Sequence, residues 1–184
     1  MKSILLLFCL PGFCWTAYAQ SNTSAKRDSD QYACLPCGND CDHLVFDKPG
    51  TCPHCNMRLV LKKSIVFRNV TPAQLCDIVA ARPNVVLLDV RTPEEFSGKA
   101  HENFGHLKNA INIPVQDLES RLAELNAYRN KEVIVYCSHS HRSPRASQLL
   151  TENGFKNIKN MTGGMSVWAD SVGDRPLGKA LLVK

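Results

Sequence analysis

The chain has 184 residues, of which 44% are hydrophobic and 21% charged, and carries a formal net charge of +5. That length suits one globular domain of ordinary size with a small companion and would leave two full domains cramped. Lys and Arg are scattered, and no stacking aromatics interleave them, which argues against a nucleic-acid partner.

The amino-terminal residues read as an export signal over 1–19. Lys2 supplies the positive start, Ile4 to Leu10 the apolar core, and Ala17-Tyr18-Ala19 the small-x-small site before Gln20. The apolar run is too short to span a bilayer. A lipid-anchored form needs a small residue just before a cysteine, whereas Phe8 precedes Cys9 and Phe13 precedes Cys14. The mature protein is therefore expected in the periplasm or outside the cell. Of the nine cysteines, Cys9 and Cys14 leave with the signal, and an odd number remains: Cys34, Cys37, Cys41, Cys52, Cys55, Cys76 and Cys137. In an oxidising compartment pairing is the default, so at least one of these stays free or binds something else.

Residues 20–31 are polar and aperiodic, a leader too poor in apolar surface to fold. Residues 32–63 hold five cysteines but little aliphatic bulk, so this module needs a cross-link or a metal. From Ser64 strand-like and helix-like segments alternate. A strand over Ser64–Val70 leads to a helix capped by Thr71-Pro72, with Leu75, Ile78 and Val79 on one face. The unbroken apolar run Val85–Val90 suits a strand buried on both faces. Thr92-Pro93-Glu94-Glu95 opens a short helix, Ala110–Ile113 is a brief strand, and Leu118, Leu122 and Leu125 repeat at helical spacing within Asp117–Leu125. Val133–Tyr136 is a second buried strand. Ser143-Pro144 begins a helix that runs to about Asn153 and stops at Gly154, Ile158 lies in a last short strand, and Met165–Asp170 suits a final helix. The alternation predicts an α/β domain over 64–176 with a mainly parallel sheet flanked by helices, and leaves 177–184 as a tail.

Val133 to Ala146 places Cys137 at the carboxyl end of a parallel strand and just before a helix, the edge at which open α/β sheets bind ligands. Inward-facing loop amides and the helix N-terminus favour an anion there, and a thiolate is such an anion. Arg142 follows after four intervening residues, then Ser143. Upstream stand Leu88-Asp89-Val90-Arg91-Thr92-Pro93-Glu94-Glu95-Phe96 and Gly105-His106-Leu107-Lys108-Asn109-Ala110-Ile111-Asn112-Ile113-Pro114, and downstream Gly163-Gly164-Met165-Ser166-Val167-Trp168.

These four blocks, in this order over most of residues 65–170, resemble the rhodanese-like sulfurtransferase family. The resemblance implies a thiosulfate sulfurtransferase in which the Cys137 thiolate takes a sulfane sulfur as a persulfide and passes it to a thiol or cyanide. Cys137 and Arg142 are its expected catalytic residues. Ser138, His139, Ser140, His141 and Ser143 are expected around the donor, the two histidines and Arg142 attracting an anion while Ser143 and the loop amides hold the persulfide. Related phosphatases have one more loop residue and a wider cradle, so a four-residue interval fits sulfur. Ser140 stands where the family often has glycine. Asp89 and Arg91 look like the pair that braces this edge, His106 reads as a buried hydrogen-bonding group and Trp168 as core, and the rival for the whole domain is a non-catalytic binding module coupled to heavy-metal binding or sensing.

Within 32–63, Cys34-Leu35-Pro36-Cys37 and Cys52-Pro53-His54-Cys55 are two Cys-x2-Cys turns separated by fourteen residues. Each is followed by a residue that tolerates a left-handed backbone, Gly38 and Asn56, as tight metal knuckles require. Four thiolates suit zinc. Leu44-Val45-Phe46 and the Asp47-Lys48-Pro49-Gly50 turn suggest a hairpin between the knuckles. Lys48 to Val60 also resembles the short heavy-metal-binding modules of bacterial metal-handling proteins, departing from them in Cys41, His43 and Asn56. The expected module is thus zinc-ribbon-like with a structural zinc on Cys34, Cys37, Cys52 and Cys55, and Cys41 and His43 in reserve. Disulfides are the rival. A redox dithiol at Cys52–Cys55 would need a thioredoxin-like unit that 32–63 cannot hold. Cys76 reads as a buried core thiol.

Overall fold

The computed structural model describes residues 31–184. The expected signal peptide and all but the last residue of the expected leader lie outside the described residues. A small antiparallel sheet comes first, made of β1 (Tyr32–Ala33), β2 (Val45–Phe46) and β3 (Val60–Leu61). Its order is β2-β1-β3, with Tyr32 opposite both Phe46 and Leu61. The expected local hairpin is therefore replaced by a three-stranded arrangement in which Val45–Phe46 returns to the module's own first strand.

The main domain contains β4 (Arg68–Val70), α1 (Pro72–Ala81), β5 (Val86–Asp89), α2 (Pro93–Phe96), β6 (His106–Leu107) and β7 (Ile111–Asn112). It continues through β8 (Glu132–Tyr136), α3 (Arg142–Glu152), β9 (Asn157–Met161), α4 (Trp168–Val172), α5 (Pro176–Leu181) and β10 (Leu182–Val183). Five strands form a parallel sheet ordered β4-β9-β8-β5-β7. Both short-range helix starts form for the reason the sequence suggests. Thr71 accepts from the Gln74 amide and Gln74 caps the Thr71 amide, and Thr92 and Glu95 repeat this reciprocal box with Pro93 at the first helical position.

Every residue of β8 is buried, and its alternation builds two cores. Val133, Val135 and then Cys137 join Leu88, Ala146 and Leu150 on the α3 side. Ile134 and Tyr136 join Leu87, Leu75, Trp168 and Leu181 on the other. Cys76 lies in that second core, as expected of an apolar thiol. Leu35 of the amino-terminal module packs into the first core, so the module is seated on the same side of the sheet as Cys137.

Three segments differ from the sequence expectation. Residues 64–67 are the end of a 3-10 turn and a loop rather than the start of a strand, with Ser64 accepting from Gln148 of α3 through its carbonyl and its hydroxyl. Leu122–Tyr128 is a 3-10 helix in place of an α-helix over Asp117–Leu125, and of its leucines only Leu118 and Leu125 are buried. The expected tail is built into the domain: α5 buries Leu181, and β10 pairs antiparallel with β6, Leu182 opposite Leu107. Gly105 permits that pairing, since a Cβ there would run into the Val183 carbonyl. Among the described residues no helix is long and apolar enough to cross a membrane.

Candidate functional site

The loop 138–141 leaves β8 at its carboxyl end and enters α3. Cys137 is 1% exposed and its Sγ lies 3.4 Å from Ser143 Oγ, so the thiol faces the first turn of α3. His141, at the N-cap, makes no side-chain capping bond, which leaves the helix's positive end to the loop interior. The floor is fixed from below: the Met165 amide donates to Cys137 O at 2.9 Å and the Ser166 amide to Ser138 O at 3.0 Å. Gly164, at φ +66°, lies where a side chain would strike both of those carbonyls.

Arg142 does not point freely into the site. Its guanidinium grips Glu95 through both nitrogens, Nη1 to Oε2 at 2.6 Å and Nη2 to Oε1 at 2.7 Å. Ser138 Oγ also donates to Glu95 Oε1 at 2.7 Å. Held by Arg142, and with Ser138 and the Thr92 amide adding their hydrogen bonds against the opposing effect of burial, the Glu95 carboxyl is lowered to about 2. The same pairing raises Arg142. In the sequence Glu95 reads as a helix opener within the Leu88–Phe96 block, and its capping-box position conceals the longer reach to the loop.

The remaining expected residues divide by exposure. His139 is exposed and meets Phe104 edge-on, with ring centroids 5.6 Å apart. His141 is exposed and, with Arg142, lies in the wall of a groove of about 1040 Å³ between residues 55–61 and α3. Ser140 is buried and takes φ +59°, the left-handed conformation that glycine enters without cost. Its Oγ accepts from Asn160 Nδ2 at 3.3 Å. The same amide reaches Asn69 Oδ1 at 2.9 Å and Pro36 O at 3.2 Å. Asn160, unremarked in the sequence, thus joins the sulfur loop to the amino-terminal module.

Asp89 and Arg91 are fully buried as a pair: Arg91 Nη2 donates to Asp89 Oδ2 at 2.6 Å and to Gly105 O at 2.8 Å. They brace β5 against the segment before β6, the structural part expected of them. His106 is only half-buried and stacks on Phe96 at 4.1 Å, and Trp168 is buried with its Nε1 donating to Gly178 O at 3.2 Å.

In the module, Gly38 at φ +90° and Asn56 at φ +57° have the left-handed backbone expected of them. The thiols gather differently from the two-knuckle expectation. Cys34, Cys41, Cys52 and Cys55 bring their Sγ atoms within 4.8 Å of one another, with Cys34 and Cys55 3.2 Å apart, and all are free thiols. Cys37 stands to one side beside Asp42, and His43 is exposed. The displacement has a local cause. The Asp42 carboxylate accepts the Cys37 amide at 2.9 Å and the Gly38 amide at 2.7 Å, folding the first knuckle around an acid and turning Cys41 inward. Burial and the neighbouring thiols raise Cys34 and Cys41. For Cys52 burial works in the same direction, but the Cys55 and His54 amides outweigh it and lower the thiol to about 7.

The comparisons with known proteins bear on the main domain. A family model described as the rhodanese-like domain matches residues 71–171. The chain is 41% identical over 86 residues to Bacillus subtilis YqhL, which covers 47% of this chain and 62% of that protein. It is 33% identical over 76 residues to the thiosulfate sulfurtransferase PspE of Escherichia coli, covering 41% of this chain and 67% of the relative. Among solved structures, the crystal structure of reduced Bacillus anthracis CoADR-RHD superposes with a TM-score of 0.51 at 26% identity, over 64% of this chain and 18% of that one. The match thus spans less than two thirds of the YqhL length. With the family model covering more than half of its residues and the parallel sheet, loop and bracing pair in place, the chain belongs to the family of rhodanese-like domains.

Proposed function

We propose that the protein is an exported sulfurtransferase that moves a sulfane sulfur from an anionic donor such as thiosulfate to a thiophilic acceptor through a persulfide on Cys137. The observation that carries this reading is the Cys137 Sγ held 3.4 Å from Ser143 Oγ at the uncapped start of α3. A thiolate there meets a hydroxyl and the positive end of a helix, which together stabilise the charge it needs for attack.

In the first half-reaction the Cys137 thiolate attacks the outer sulfur of thiosulfate, the S–S bond of the donor breaks, and sulfite leaves with the bonding pair. Cys137 then carries an extra sulfur as a persulfide anion, held by Ser143 and the loop. In the second half-reaction an acceptor thiolate attacks that outer sulfur and the Cys137 thiolate is released. No oxidant enters and no net proton is consumed. Cys137 is 1% exposed, so loading it requires the 138–141 loop to yield, and the groove walled by His141 and Arg142 is where an anionic donor would first dock beside that loop. The donor's negative charge competes with Glu95 for the Arg142 fork.

Thiocyanate formation from thiosulfate and cyanide tests the reading, together with a mass gain of about one sulfur atom on Cys137 in single turnover. Both are expected for the wild type and neither for Cys137→Ser. If no sulfane donor loads Cys137, the enzyme reading fails. The rival, a non-catalytic module coupled to heavy-metal binding, draws on the thiol cluster and predicts that partner capture survives Cys137→Ser. Amino-terminal sequencing of the periplasmic fraction tests the export proposal: a mature chain starting at Gln20 is expected.

A further inference from the structure

We infer that the amino-terminal module holds one thiophilic d10 cation of the zinc class through the four thiolates of Cys34, Cys41, Cys52 and Cys55, with Cys37 outside the coordination shell as a hydrogen-bonded thiol.

The geometry favours this set over the two Cys-x2-Cys pairs. A tetrahedral ion with metal–sulfur bonds of about 2.3 Å needs sulfur–sulfur edges of about 3.8 Å. The four Sγ atoms lie within 4.8 Å of one another, and the closest pair is 3.2 Å apart. That contact is well beyond a disulfide bond of about 2.05 Å. Small shifts, with Cys34 and Cys55 moving apart and the wider pairs moving together, let all four share one centre. Cys34, Cys41 and Cys52 are buried and Cys55 is partly exposed, so the centre is closed on three sides in the manner of a structural site.

Cys37 is occupied by other partners. Its Sγ donates to Asp42 Oδ1 at 3.4 Å and accepts from Asn39 Nδ2 at 3.2 Å. These partners turn the Cys37 sulfur toward Asp42 and leave it outside the group of four sulfurs that lie within reach of one centre. The Cys37 and Gly38 amides, which would otherwise face a knuckle-bound ion, also point at Asp42. Cys41 is 3.9 Å from Cys37 Sγ and belongs to both groups, which places Cys37 against the outside of the shell.

The second turn is prepared for an ion. Cys52 donates its amide to Met57 O at 2.8 Å, the Asn56 amide donates to Cys52 O at 3.0 Å, and Asn56 supplies the left-handed residue that closes the knuckle. The cysteine cluster has Met57 and Leu59 as its buried apolar company, with Tyr32 and Phe46 partly buried against it, while Leu35 packs into the main domain instead. A core of that kind gains its folding energy from an ion rather than from burial.

The test uses the full chain with its metal removed and replaced by cobalt(II), alongside elemental analysis of the protein as purified. The wild type is expected to carry about one zinc per chain and, with cobalt, to give the intense absorption of a tetrahedral four-thiolate site. Cys37→Ser is expected to keep both. Cys41→Ser is expected to lose the four-thiolate spectrum and at least tenfold in affinity, and Cys41→His to bind cobalt with the blue-shifted spectrum of three sulfurs and one nitrogen. Far-UV circular dichroism checks that the main domain remains folded in each variant. Loss of the four-thiolate spectrum in Cys37→Ser, its retention in Cys41→Ser, a cobalt spectrum unchanged in Cys41→His, or a metal-free wild type with its thiols paired overturns the assignment.

Discussion

Glu95 holds Arg142 by both arms of its guanidinium while it also caps the helix that carries it. One carboxylate accepts the Thr92 amide at 3.0 Å and the Arg142 nitrogens at 2.6 and 2.7 Å. The charge expected to welcome an anionic donor is thus already matched, and a donor gains the arginine only by displacing an acid fixed at a helix start. Glu95→Gln is expected to lower the KM for thiosulfate several-fold, because a neutral amide competes poorly with an anion for a guanidinium. Steady-state kinetics with thiosulfate and with an uncharged sulfane donor check this, and equal effects on both would contradict it.

The same pair sets an acid limit. Glu95 is depressed to about 2 from an ordinary carboxyl value of about 4.3. A group whose folded pKa is depressed stabilises the fold above its unfolded value and loses that contribution as pH falls through the folded one. Stability is therefore expected to decline from about pH 4 toward pH 2, with a shallower decline in Glu95→Gln. Urea midpoints across that range measure it. Parallel slopes in the two proteins would show that other carboxyls account for the acid loss.

Ser143→Ala removes the one side-chain group within reach of the Cys137 sulfur among the described hydrogen bonds. A hydrogen bond to a charged group contributes about 1.5–3 kcal/mol, so persulfide formation is expected to slow by roughly 10- to 100-fold. Ser143 is fully buried but small, and the melting temperature is expected to change little. Stopped-flow mixing with excess thiosulfate reads the first half-reaction alone. An unchanged rate would assign stabilisation to the helix end and loop amides instead.

Gly164→Ala is expected to damage the loop from beneath. A Cβ there would strike the carbonyls of Cys137 and Ser138, and φ +66° disfavours any side chain. Strain and overpacking each cost about 1–3 kcal/mol. The loop is the part free to yield, so activity should fall further than stability. Denaturation midpoints and single-turnover rates on the same sample compare the two.

The parts of this molecule written in local sequence were legible. Thr71-Pro72 and Thr92-Pro93 state their helix starts within four residues, and the apolar run before Cys137 states a buried strand. Gly38 and Asn56 show their backbone conformation through residue type alone. What escaped depends on partners distant in the chain or on competition between neighbours. Glu95 satisfies a local rule so completely that its bond to Arg142, 47 residues on, left no separate trace. Cys37 has the spacing of a ligand, yet Asp42 five residues later accepts its amide and draws its sulfur aside from the group formed by the other four. The last strand is short, and its reason for existing, the pairing with β6, is a tertiary one.

Asn160 tests whether the module and the sulfur loop are mechanically joined. It is fully buried, and its Nδ2 faces three oxygens: Pro36 O in the module, Asn69 Oδ1 on β4 and Ser140 Oγ in the loop. Asn160→Asp keeps the shape but replaces a donor with an acceptor, so a buried charge would face the Pro36 carbonyl and the Asn69 amide oxygen with only the Ser140 hydroxyl able to turn a proton toward it. Asn160→Leu removes the polarity and leaves those oxygens unpaired, at a cost of about 1–3 kcal/mol. The Asp variant is therefore expected to be the less stable at neutral pH and to recover part of the difference as pH falls and the carboxyl takes up a proton. In both variants amide exchange is expected to rise at residues 34–42 and at 138–141 together, because one side chain anchors both. Faster exchange confined to either segment would mean that Asn160 supports that segment alone and that the module sits on the domain through Leu35 and its apolar contacts.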